Sequence, residues 1–131
     1  MDNDLNAVLD EIEKQGSMME ETREELQKKY GLRFDKAEKL VSSMAVKKYI
    51  FKPSGKIVWI VVGKEKEYLV IPKLYCQCDD FYINVVIRRK MSFCYHLFAQ
   101  AIAEKRVSYE IFDVPDSDFK RLNNEWKKQS V

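Results

Sequence analysis

The sequence is poor in the features that mark disordered, exported or membrane-spanning chains. Its 131 residues include 4 glycines and 3 prolines, which argues against a disordered or low-complexity chain. No run of about 18 apolar residues occurs, so we expect no transmembrane helix. The acidic start, MDNDLNAVLDEIEK, lacks the basic and then apolar pattern of a secretory signal. We therefore expect a cytoplasmic protein, or a nuclear one in a eukaryotic cell.

Cysteine and histidine are also scarce, with 3 and 1 residues, and this limits the possible chemistry. In a reducing compartment, cysteines are more often free thiols or metal ligands than members of disulfides. An odd number of cysteines would also leave one unpaired in a set of disulfides. The segment 52-KPSGKI-57 is not a phosphate loop, because it has no upstream glycine and no Ser or Thr after the lysine. We expect no enzymatic activity and no small-molecule substrate.

The residues that are present suit a globular protein. Apolar residues make up 46% and charged residues 34% of the chain, whose net charge is +2. The charge is uneven: residues 1–45 hold 7 basic and 11 acidic side chains, and residues 46–131 hold 16 and 10. The basic part favours an anionic neighbour, although lysine-rich faces are usually only solvated.

The hydrophobic pattern predicts an α+β fold. Helical spacing predicts N-terminal helices over 3–15 and 18–30 and a third from Asp35. A three-stranded antiparallel sheet is predicted next, from β-rich runs over 46–51, 57–62 and 67–75, with a hairpin at 52-KPSGK-56. Further helices are expected from Asp79 to about Arg89, after Cys94, and in a C-terminal segment containing Phe119, Leu122 and Trp126.

All the cysteines and the one histidine fall within twenty-one positions. Cys76 and Cys78 form one pair, Cys94 and His96 another, and fifteen residues separate the pairs. Residues two apart in a strand share a face, so both sulfurs of Cys-x-Cys can reach one ion. Thiolate and imidazole are the usual ligands of zinc, and four protein ligands leave no place for catalytic water. The alternative is three buried thiols and a surface histidine, but random placement would scatter them. We expect one structural Zn²⁺.

The basic run Arg88, Arg89 and Lys90 lies between the two ligand pairs. Three thiolates and one Zn²⁺ sum to one negative charge, which this run could offset by donating to sulfur. It could also contact DNA phosphates, or it could simply be solvated. The sequence leaves these three interpretations open.

The order Cys-x-Cys, fifteen residues, Cys-x-His resembles the SWIM zinc finger, a ββα module. The hairpin 51-FKPSGKIVWIVVG-63, the apolar 81-FYINVVIRRK-90 and the helix after 94-CYH-96 are similar to the SWIM-containing subunit of the Shu complex. The resemblance covers roughly residues 30–125. One departure is 79-DDF-81, where the family often has a Pro-x-Phe type.

The resemblance implies a fold and a role. The implied zinc-clasped ββα module spans 46–104, with its ligand segment at 76–96. Because both ends show helical periodicity, we expect an N-terminal helical segment (1–45) before it and a C-terminal helical tail (105–131) after it, all in one compact domain. The resemblance also implies a non-enzymatic accessory protein of DNA recombination and repair. Such a protein pairs with a RecA-family recombinase paralogue and promotes recombinase filament assembly on single-stranded DNA.

Two functions therefore remain open. An adaptor would dock a protein partner through apolar helices, for which the candidates are Met18, Met19, Leu26 and Tyr30 at one end and Phe119, Leu122 and Trp126 at the other. The alternative, which is the more common case for an apolar helix face, is that these faces pack on the chain's own core. A SWIM module that binds DNA directly, in a regulatory or transposition-type role, would use basic residues and stacking tyrosines. Its candidates are Lys47, Lys48, Lys52, Lys56, Lys64, Lys66, Arg88, Arg89 and Lys90, with Tyr49 and Tyr82.

Overall fold

A computed structural model describes residues 20–63, 66–79, 81–90 and 93–128. The predicted helix over 3–15, with Met18, Met19 and Lys64, lies outside these residues. The elements are α1 (Glu20–Tyr30), α2 (Leu32–Ser42), β1 (Val46–Lys52), β2 (Lys56–Val62), β3 (Glu67–Ile71), β4 (Tyr75–Cys76), a π-helix (Phe81–Ile87), α3 (Tyr95–Arg106), β5 (Glu110–Pro115), a 3₁₀ turn (Asp116–Asp118) and α4 (Phe119–Lys128). Within the described ranges, no helix has the length and apolar character needed to cross a membrane.

The strands form one mixed sheet in the order β4-β3-β2-β1-β5. Neighbours from β4 to β1 are antiparallel, whereas β5 runs parallel to β1, with Lys47 opposite Glu110 and Lys52 opposite Pro115. The α+β class is confirmed, but the expected three-stranded sheet is wrong, because the described residues form a sheet of five strands.

Two local features produce the additional strands. The run predicted as one strand to Tyr75 turns at Pro72, which has no N–H for a ladder, and Lys73 adopts a left-handed φ of 64°. The chain reverses there and returns as β4. The other strand, β5, lies in a stretch where only a helix was expected. Its alternation of half-buried and exposed side chains is typical of a strand.

The sheet buries side chains on both faces, as the period-two geometry of strands allows. In β2, Trp59 and Val61 point to one face, and Val58 and Ile60 to the other. The first face carries the larger core, which includes α2 and α3 and the C-terminal half of α1. Helix α3 is buried from His96 to Ala103 and packs mainly on α2.

The opposite face is covered by α4. Trp126 is buried against Phe51 and Ile60, and Phe119 and Leu122 pack around them, so this predicted helix is confirmed. The carboxylate of Asp116 fastens the hairpin turn to this side, because it accepts hydrogen bonds from the Ser54 hydroxyl (2.7 Å) and amide (3.0 Å). The apolar stripe of α4 is thus consumed by the protein's own core, as is Leu26 of α1.

Candidate metal centre

The first ligand pair lies at the end of an edge strand. Cys76 closes β4 opposite Val70 of β3, and Cys78 follows two residues later. Between them, Gln77 is turned back toward β3. Its backbone N–H donates a hydrogen bond to the Leu69 carbonyl (3.3 Å), and its side-chain oxygen accepts one from the Leu69 backbone N–H (2.9 Å). This anchoring directs both neighbouring sulfurs to the opposite side, as the strand alternation requires.

The second pair lies at the start of α3. Cys94 is the N-cap residue in an extended conformation (φ −90°, ψ 171°), and His96 is the second residue of the helix. Because Cys94 precedes the helix and His96 belongs to its first turn, their side chains can converge. A helix N-terminus also favours negative charge, so a thiolate at this position is stabilised.

The four side chains come together in the core. The sulfurs of Cys76, Cys78 and Cys94 and a ring nitrogen of His96 all lie within 4.8 Å of one another, and all four residues are buried. A zinc ion bound to sulfur at about 2.3 Å in a tetrahedron places the sulfurs about 3.8 Å apart, so only a small contraction is needed. The cluster contains no disulfide.

The ionisation of the thiols depends on their mutual contacts. Hydrogen bonds from Cys76 and Cys94 lower the pKa of Cys78, which therefore ionises first. Hydrogen bonds with Cys78 and Cys94, and then burial, raise the pKa of Cys76. For Cys94 the bond with Cys76 lowers the pKa, but the bond with Cys78 and burial raise it to about 12. Three thiolates cannot coexist here without a cation to compensate them.

His96 is held between two tyrosine rings. Its ring centroid lies 4.4 Å from that of Tyr68 and 4.2 Å from that of Tyr95. Gly63 makes room for this packing, because a Cβ there would lie 2.7 Å from the Tyr68 ring. The buried Nδ1 atom of His96 has no hydrogen-bond partner in the described part of the chain. Imidazole is a common metal ligand, and one ring nitrogen of His96 lies within 4.8 Å of the three sulfurs.

The π-helix begins at the cluster and shields it. The Phe81 amide donates a hydrogen bond to the Cys78 sulfur (3.3 Å), and Phe81 itself is buried. Amide donors to sulfur offset the negative charge of a thiolate site. The donor set, its burial and this support fit a zinc ion held by Cys76, Cys78, Cys94 and His96.

The predicted nucleic-acid residues are spread over the molecule. Arg88, Arg89 and Lys90 follow the π-helix with exposed side chains, and none of them forms an ion pair with a described residue. Lys47 and Lys56 lie at opposite ends of the β1–β2 ladder. Lys47 pairs with Glu110 at 3.8 Å, and the Lys56 ammonium lies 4.0 Å from the Phe119 ring centre. The structure thus does not gather these five residues at one place.

A groove beside the cluster, which we call the lysine groove, was not predicted from the sequence. Its volume is about 940 Å³, and of the described residues that line it, four are lysines and one, Glu110, is acidic. Lys36 and Lys39 come from α2, Lys47 comes from β1, and Lys66 directly precedes β3. Tyr68, Tyr95 and His96 also line the groove. The spacing of Lys36 and Lys39 marks one helix face, but nothing local shows that Lys47 and Lys66 face it.

Comparison with known proteins adds one relative. The zinc finger SWIM domain-containing protein 7 homolog of Dictyostelium discoideum is 26% identical over 82 residues, which make up 61% of this chain and 53% of that protein. The chain thus spans about half the length of this relative. No family model matches. The likeness and the buried Cys₃His cluster both fit a SWIM-type zinc site.

Proposed function

We propose that this protein is a non-enzymatic SWIM-type zinc protein with one structural Zn²⁺. The observation that carries the proposal is the convergence of Cys76, Cys78, Cys94 and His96 in a buried cluster. Four protein donors complete a tetrahedral sphere, whereas catalytic zinc keeps a position for water. The ion joins the end of β4 to the start of α3 and so fixes the segment between them.

We further propose that the protein is an adaptor in DNA recombination and repair. Its partner would be a RecA-family recombinase paralogue, and the pair would promote recombinase filament assembly on single-stranded DNA. The support is the resemblance of the ligand pattern and hairpin to the SWIM subunit of the Shu complex. Leu26 and Trp126 are buried in the protein's own core, so these two candidates are not available to a partner.

Capture of the tagged protein from its native cells, with nuclease to remove DNA bridges, tests the adaptor role. We expect a RecA-fold protein in near-equal amount, and the same complex from the two purified proteins. The Cys94→Ala variant should lose the partner, because the ligand segment loses its order. A matched exposed change, Lys120→Ala in α4, should retain it. If the wild-type protein yields no RecA-fold partner, the adaptor role is wrong.

Direct binding of nucleic acid is a second candidate, and the lysine groove favours it. Four ammonium groups beside two tyrosine rings offer the charges and stacking surfaces that single strands use. Lys36→Glu with Lys39→Glu should weaken binding of a single-stranded oligonucleotide and reduce its salt dependence. Lys28→Glu with Lys29→Glu, on α1, is the matched control. Equal loss in both double variants would show that the groove has no special role.

A further inference from the structure

In the described part of the chain, the exposed apolar side chains are concentrated around the first ligand pair and the π-helix. Of twelve exposed large hydrophobic side chains in the described residues, seven lie between residues 71 and 87, with exposures from 40% to 62%. They are Ile71, Leu74, Tyr75, Tyr82, Ile83, Val86 and Ile87. Single exposed apolar residues are ordinary, but a contiguous patch marks an interaction site.

The π-helix presents the centre of this patch. Phe81 is buried and Val85 packs on the core, so these two residues hold the inner side of the helix. Tyr82, Ile83, Val86 and Ile87 occupy the other side, and we call them the outer apolar face. The ring centroids of Tyr75 and Phe81 lie 5.5 Å apart, and Tyr75 pairs with Ile71 between β4 and β3. These two contacts link the β3–β4 turn to the π-helix.

The two ends of the outer apolar face carry opposite charges. The exposed Asp79 lies at its start and is followed in sequence by Asp80. At its end, the Arg88 amide donates to the Ile83 carbonyl and the Lys90 amide to the Asn84 carbonyl, both at 2.8 Å. These bonds fold the run Arg88–Lys90 against the helix. The helix dipole favours this charge order, but it does not explain four exposed apolar side chains between the ends.

We propose that the outer apolar face binds a second copy of this chain in a two-fold symmetric dimer. A two-fold axis brings the same patch of both chains together, so the patch must complement itself. Two antiparallel π-helices satisfy this condition. The apolar faces meet in the centre, while the exposed Asp79 of each chain lies opposite Arg88 and Arg89 of the other. The proposal requires an ordered ligand segment, and it does not depend on the recombination role.

Removal of the apolar contact is the first test. Val86→Ser with Ile87→Ser should raise the dimer dissociation constant at least about tenfold, measured by analytical ultracentrifugation over a concentration series. Ile57→Ser with Ile111→Ser removes comparable exposed side chains from β2 and β5 and should leave it unchanged. Zinc content and circular dichroism of each variant show whether the fold is intact.

Exchange of the charges gives a test that loss of folding cannot imitate. Asp79→Lys makes both ends basic, and Arg88→Asp with Arg89→Asp makes both ends acidic. Each variant alone should be monomeric because like charges then face each other. An equimolar mixture should form the heterodimer, which native mass spectrometry separates from both homodimers. Dimerisation of either variant alone, or no complex in the mixture, would overturn the antiparallel arrangement.

The oligomeric state of the wild-type protein is the decisive observation for the dimer proposal. A wild-type protein that is monomeric up to about 100 µM overturns it. So does dimerisation that appears only after residues 1–15 are deleted, because the acidic N-terminus would then be the occupant of the face. A dimer that the Val86→Ser, Ile87→Ser variant retains would place the interface elsewhere and equally contradict the proposal.

Discussion

The two faces of the sheet are closed by different chemistry. On the face of α2 and α3, the core includes three buried thiols and a buried histidine that converge on one point. On the face of α4, Trp126, Phe51 and Ile60 are joined by apolar contact alone. The first arrangement brings together four buried side chains that suit a cation, whereas the second is complete without one. We therefore expect stability to depend on metal on one side of the sheet only.

Loss of the metal should have the largest effect. Structural zinc contributes about 10–16 kcal/mol in small fingers, so chelation or Cys94→Ala should lower the free energy of unfolding by more than about 4 kcal/mol. Urea denaturation of loaded and stripped protein measures this. Hydrogen exchange should rise over 76–106 more than over 119–128. Equal protection of both stretches after stripping would remove the distinction between the faces, and added zinc should restore the loaded state.

Trp126→Ala should destabilise the core on the face of the sheet that α4 covers. We expect a loss of about 3–5 kcal/mol, because a buried indole is replaced by a cavity against Phe51 and Ile60. Zinc stoichiometry should stay the same at temperatures where the variant is folded. Thermal unfolding with metal analysis of the same samples measures both quantities. Loss of zinc from the folded variant would show that the two faces are coupled.

The affinity for zinc should depend steeply on pH. The raised pKa values of Cys76 and Cys94 keep both thiols protonated in the metal-free protein near neutral pH, and Cys78 has already ionised. Metal binding therefore expels two protons, and affinity should rise about 100-fold for each unit of increasing pH. Competition with a chelator of known proton dependence, between pH 6 and pH 8, measures the slope. An affinity independent of pH would contradict coordination by these thiols.

Gln77→Ala should give the smallest effect, and it concerns the metal-bearing face alone. The change leaves the Leu69 amide without its side-chain acceptor and should cost about 1 kcal/mol of stability. Zinc affinity should fall as well, because Gln77 directs the sulfurs on either side. Gln27→Ala, which changes an exposed side chain of α1, is the matched control. A stability loss without any change in zinc affinity would limit Gln77 to a role in the sheet.

Local sequence patterns were sufficient for much of the metal-bearing face. The spacing of Cys76, Cys78, Cys94 and His96 predicted their convergence, because a strand end and a helix start impose simple geometry. The hairpin and the helix after Cys94 also followed from local periodicity. The alternatives for Arg88–Lys90 could not be decided from sequence, and the structure shows these side chains exposed beside the π-helix.

The features that were not predicted from the sequence depend on contacts between residues far apart in the chain. Strand β5 pairs with β1 across more than sixty residues, and no local signal announces a parallel neighbour so far away. The lysine groove likewise joins α2 to the sheet. The split of β3 and β4 was a local error, because Pro72 already argued against a continuous strand. The division into segments 1–45, 46–104 and 105–131 stays a prediction.

A cobalt titration of the metal-free protein would show whether Cys76, Cys78, Cys94 and His96 bind one metal ion. We expect saturation at one Co²⁺ per chain, with intense thiolate-to-metal charge transfer and the visible bands of a tetrahedral site, and displacement by one equivalent of Zn²⁺. Cys94→Ala should weaken the charge-transfer band, and Trp126→Ala should leave it unchanged. A weak octahedral spectrum, or no saturation at one equivalent, would contradict a closed Cys₃His site.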